Sequence, residues 1–96
     1  MTDKATFEDF TLKIKDSISD CEDLIVRGEW DEADKETIVL ETYSDALRML
    51  ARGMKEKDPE LYEEVSDHAV WLDGRIITFL RNIAHKNSCF FYQKKD

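Results

Sequence analysis

Proline, glycine and cysteine are all scarce in this chain, with one, three and two copies in 96 residues. So little turn-forming residue argues against an all-β domain, whose many short strands need frequent Gly/Pro turns. Two cysteines far apart, Cys21 and Cys89, form no CxxC pair, so neither a disulfide framework nor a thiolate zinc site is readable. Both read as small apolar filler, reduced in a cytosol. Long hydrophobic runs are missing as well. No stretch approaches the roughly 20 apolar residues of a membrane span, and no apolar run near the start resembles a signal peptide. The expectation is a cytoplasmic chain with no membrane contact. Positive charge is in deficit, with 14 Lys and Arg against 22 Asp and Glu, for a net −8. Such a chain repels phosphate backbones, so direct nucleic-acid binding is not expected, whereas basic proteins are attracted.

What remains is 42% hydrophobic and 38% charged, too apolar for a disordered chain and suited to one helical domain spanning residues 1–96. Three stretches carry apolar residues at steps of three and four, as one helix face requires. The first spans about 6–27, with Phe7, Phe10, Ile14, Ile18, Cys21 and Ile25, a Thr6 cap and a Gly28 stop. The second spans about 32–52, with Val39, Tyr43, Ala46, Leu47, Leu50 and Met54, an Asp31 cap and a Gly53 stop. The third spans about 59–87, opened by Asp58-Pro59-Glu60 and carrying Tyr62, Val65, Ala69, Leu72, Ile76, Phe79, Leu80 and Ile83. Asp73-Gly74 is a turn signal inside it. The apolar phase passes through unbroken, so the spacing predicts a continuous helix. Short connections make neighbouring helices antiparallel. The expected fold is an all-α, up-down-up three-helix bundle with an overhanging third helix, about 43 Å long, and a short tail, 88–96.

Acid is concentrated in the middle of the first half. Residues 16–36 hold nine acids and two bases, whereas residues 61–96 are neutral. Asp31, Glu32, Asp34 and Glu36 suit a helix start. Asp20, Glu22 and Asp23 fall at a helix end, where the dipole disfavours anions. The candidate partner-binding surface is therefore Asp20, Glu22, Asp23, Glu29, Trp30, Asp31 and Glu32, joined by Phe90, Phe91 and Tyr92 of the tail at the same pole. Three uses compete. The tail folds back, with Lys86, Lys94 and Lys95 facing the acids. The acidic rim and aromatics dock a basic protein, with DNA mimicry as a sharper form. Or the overhang pairs in a homodimer. A further set on the third helix, Val70, Trp71, Ile77 and Ala84, reads as a widened core face, with a partner groove or self-association face as the alternative.

Chemistry is hard to find. His68 follows Glu64 by one turn and reads as a structural imidazole bonded to that carboxylate. His85 sits near a helix end and has no catalytic partner. The enzyme alternative is a small helical nucleotide pyrophosphatase of the MazG type, which resembles this chain in paired helical acids that hold magnesium. Glu29 and Glu32, and Glu60 and Glu63, match ExxE, and Asp20 and Asp23 form DxxD. Glu29–Glu32 straddles a turn, however, and Glu41 and Asp45 stand four apart where the second motif requires three. The reading is a non-enzymatic binding module, an inhibitor or adaptor of the size of a bacterial or phage accessory factor, needing no cofactor or metal. A homodimeric structural protein is the other alternative.

Overall fold

A computed structural model describes the backbone of residues 2–95 and the side chains of residues 2–85. Three helices account for nearly all of it: α1 (Asp3–Val26), α2 (Trp30–Met54) and α3 (Pro59–Lys95), with no strand among the described residues. They form the expected up-down-up bundle. Its Cα extents are 60 × 18 × 14 Å, so it is a short rod.

Local chemistry sets each boundary. α1 starts earlier than its apolar pattern suggests, because Thr2 supplies the cap and accepts a hydrogen bond from the Ala5 amide at 3.1 Å. Thr6 is inside the helix and donates its hydroxyl to the Thr2 carbonyl. At the other end Gly28 takes φ +76°. Its amide bonds to the Ile25 carbonyl and the Glu29 amide to the Leu24 carbonyl, the paired closure of a Schellman motif. The turn is so tight that Glu29, and not Asp31, occupies the cap position of α2, and its side chain makes no cap bond. Gly53 does not stop α2, which continues to Met54. The α3 start is as read: the Asp58 carboxylate accepts from the Leu61 amide at 3.2 Å, with Pro59 as first helical residue.

The core follows the predicted stripes of α1 and α3, except that Leu80 is exposed, Phe10 and Tyr62 are only partly buried, and Leu61 takes an inward place. Phe7, Ile14, Ile18, Cys21 and Ile25 meet Leu61, Val65, Ala69, Leu72, Ile76, Phe79 and Ile83. On α2 the phase differs. The buried residues are Ala33, Thr37, Leu40, Ser44, Leu47, Ala51 and Met54, and Val39 is left 41% exposed. Thr37 and Ser44 hide the true stripe because they are polar yet buried. Each is satisfied: Thr37 donates to the Asp34 carbonyl one turn away, and Ser44 donates across to Asp73 of α3 at 2.6 Å.

α3 is unbroken through Gly74. Glycine there costs about 1 kcal/mol relative to alanine, which the packed core absorbs. The Ser44–Asp73 contact sets the register of α2 against α3 and places the start of α2 about level with position 87. α3 then runs on to Lys95 as helix, about two turns past the α1–α2 turn. The expected fold-back of the tail, 88–96, rests on side chains that lie outside the described residues. Val70, Trp71, Ile77 and Ala84 are exposed, against the expectation of a wide core face. The reason is geometric. Both neighbours of α3 lie on the same side, and among the described residues nothing packs over Val70 and Ile77 on its outer arc, with Trp71 at the edge facing α1.

Candidate functional site

The acidic pole is present, and four of its nine carboxylates are paired with three cations of the same chain. Arg27 follows Asp23 by one turn and bonds to it at 3.1 Å, and also to Glu29 at 3.2 Å across the Schellman turn. Arg75 reaches from α3 to Glu22 at 2.6 Å, with its guanidinium 5.0 Å above the Phe79 ring. Lys35 pairs with Glu32 at 3.3 Å. Glu36, half-buried between α1 and α2, accepts the Ser17 hydroxyl. Two of the three unfavourable acids at the end of α1, Glu22 and Asp23, are thus offset by specific cations. Asp20 and Asp31 are exposed and form no ion pair among the described residues.

Trp30 packs partly buried against the core, and its ring lies 3.7 Å from where a Cβ on Gly28 would sit. It closes the pole as a structural residue. A shallow hollow lies beside it, lined by Gly28, Glu29, Trp30, Asp31 and Glu32. The side chains of Phe90, Phe91 and Tyr92 lie outside the described residues, as do those of Lys86, Cys89, Lys94 and Lys95. Cys21 is fully buried, and burial with the nearby Glu36 and Glu22 carboxylates pushes its thiol up to about 11. A thiol held protonated in this way is a poor nucleophile.

A second site was not singled out by sequence reasoning. α1 and α3 run parallel and pack less tightly against each other than either does against α2, which leaves a cleft of about 650 Å³ between them. Its apolar lining is Phe7, Leu12 and Trp71, and Leu12 and Trp71 remain 64% and 49% exposed. Glu8 on α1 and Glu64 and Asp67 on α3 line it with carboxylates.

His68 joins the two walls. Its ring stacks on Trp71 at 5.1 Å and meets the edge of Phe7 at 5.6 Å. The expected bond to Glu64 is not made, because the imidazole turns inward to the aromatic stack. Nε2 is buried and has no hydrogen-bond partner among the described residues. Burial holds the imidazole pKa below its ordinary value, with the Glu64 charge opposing it. The signal for this cleft was present in the sequence. Leu12 and Trp71 fall off the core stripes of their helices, and both are large and apolar.

On the opposite flank Asp73 is held by Arg48 and Ser44, and the Arg48 guanidinium beside it lowers its carboxyl pKa. Arg48 also donates to Ser44 at 2.7 Å, so the three side chains clamp α2 to α3. Among the described residues, no group of three or more His, Cys, Asp or Glu side chains converges as metal ligands would. Two of the acids that match paired-carboxylate spacings, Glu29 and Glu32, are engaged by Arg27 and Lys35. No described helix is long and apolar enough to cross a membrane. Comparisons with family models, curated proteins and solved structures return no match for this chain, so its geometry alone carries the functional argument.

Proposed function

We propose that this chain is a non-enzymatic protein-binding module, an inhibitor or adaptor, which docks a basic amphipathic segment of a partner in the α1–α3 cleft. The observation that carries this reading is the cleft itself, an exposed apolar floor with carboxylates on both walls. Solvent-exposed Leu12 and Trp71, lining one cleft, are costly to leave in water and favourable to cover. Glu8, Glu64 and Asp67 select cationic flanks, and the net −8 of the chain steers a basic partner towards them. The open edge between two parallel helices suits a helical segment, which would lie there as a fourth member of the bundle. The acidic pole is the weaker docking surface, because four of its carboxylates already hold internal cations and Trp30 serves the core.

The test uses a synthetic amphipathic helix with leucine on one face and lysine on the others. In a Trp30→Phe background, Trp71 emission reports the cleft alone. Emission should shift on titration, and affinity should fall at least tenfold between low and physiological salt, as expected where several charges converge. Leu12→Asp and Glu64→Lys should each weaken binding at least tenfold. Equal binding of a glutamate-for-lysine control peptide, or an unresponsive Trp71, would overturn the proposal. Magnesium-dependent turnover of a nucleotide panel would replace it with the hydrolase reading.

A further inference from the structure

The outer arc of α3 carries Val70 and Ile77, 68% and 49% exposed, above and below Gly74. A Cβ on Gly74 would meet nothing within 4 Å, so nothing inside one chain calls for glycine at this position. The missing side chain leaves a notch midway along an exposed apolar ridge. Charge is arranged symmetrically about that notch. Asp67 stands seven residues before Gly74 and Arg81 seven after, and seven residues are nearly two whole turns, so all three share one face. Both charged side chains are exposed, and neither forms an ion pair among the described residues. Glu63 and His85 occupy the next symmetric positions, eleven residues to either side.

We infer that this face binds a second copy of the same chain, α3 packed antiparallel on α3 with the crossing at Gly74. A two-fold axis through the notch brings Asp67 of each copy to Arg81 of the other, twice, and lets the two backbones approach closely where no side chain intervenes. A parallel pairing would oppose like charges. The occupant is therefore chosen by charge as well as by shape: the face is its own complement, as a two-fold interface requires. Positions 63, 67, 70, 74, 77 and 81 alternate steps of four and three, the spacing of a helix-pairing seam. The strip carries two acids, Glu63 and Asp67, against Arg81, so its local repulsion is small beside that of the whole chain at net −8. The self-association face shares Asp67 with the peptide-docking cleft, but Gly74, Ile77 and Arg81 lie outside it, so Arg81→Asp and Gly74→Leu test the self-association apart from the docking proposal.

Sedimentation equilibrium across micromolar to millimolar concentration tests it. The mass should rise from one to two 11.3 kDa chains. Asp67→Arg and Arg81→Asp should each weaken self-association at least tenfold, because each opposes like charges across the axis. Mixing these two variants should restore a two-chain species, since every contact is then complementary. Gly74→Leu should weaken association by a similar factor while leaving the circular dichroism of the monomer unchanged. A parent chain that stays at one-chain mass throughout, or reversals that leave association unaltered, would overturn the inference. So would a failure of the mixture to recover two-chain mass.

Discussion

Gly28 and His68 are the two residues whose surroundings constrain them most. Gly28 sits at φ +76°, where an L side chain clashes with its own backbone. Gly28→Ala should therefore cost about 1–2 kcal/mol, read as a lower urea midpoint at unchanged slope. His68 has a folded-state pKa below its ordinary 6.5. The sign follows directly: as pH falls through the ordinary value, the unfolded chain takes up a proton that the folded chain refuses. Stability should thus decline below pH 6.5, down to the folded-state value. A His68→Gln variant should lose that part of the slope between pH 7.5 and 5.5 in thermal melts. An identical slope in both proteins would mean that the buried imidazole does not control it.

At the scale of elements, α2 is the most instructive. Its buried face is Leu40, Leu47, Ala51 and Met54 with Thr37 and Ser44 between them, whereas Val39 looks outward. Leu47→Ala should cost about 2–5 kcal/mol and Val39→Ala well under 1 kcal/mol, a contrast measurable by chemical denaturation. Periodicity alone did not separate these positions, because a buried serine or threonine that satisfies itself through a neighbour looks like a surface residue in the sequence. The stripes of α1 and α3 were legible because all but Ser17 of their inward positions are apolar. The continuity of α3 through Asp73-Gly74 was legible for the same reason: an unbroken phase outweighs a turn-prone dipeptide. The Arg48–Ser44–Asp73 clamp was not, since it joins side chains 25 and 29 residues apart. The concentration of acids in residues 16–36 was legible, whereas the Arg75–Glu22 pair was hidden, because that arginine comes from a distant helix. The α1–α3 cleft was missed because its key residues lie off both helices' core stripes, and only the lateral spacing of two parallel helices brings Leu12 and Trp71 together.

The whole molecule is a thin rod with charge unevenly spread along it. Nine acids in residues 16–36 place most of the net −8 beside one turn. Self-repulsion of that kind weakens the compact state, and the exposed ion pairs that oppose it are individually weak. Screening should therefore stabilise. Melting temperature should rise between low ionic strength, where charges interact over about 30 Å, and physiological salt, where the range is about 8 Å. A fall in melting temperature would mean that the Arg27, Lys35 and Arg75 pairs contribute more than the repulsion they offset.

The overhang of α3 has a hydrodynamic consequence. With three helices aligned along a 60 Å axis, nearly every amide bond vector lies close to that axis, up in α2 and down in its neighbours or the reverse. End-over-end reorientation dominates the relaxation of such vectors, and spinning about the long axis scarcely affects it. Nitrogen-15 linewidths should therefore exceed those of a spherical protein of equal mass and be nearly uniform along each helix.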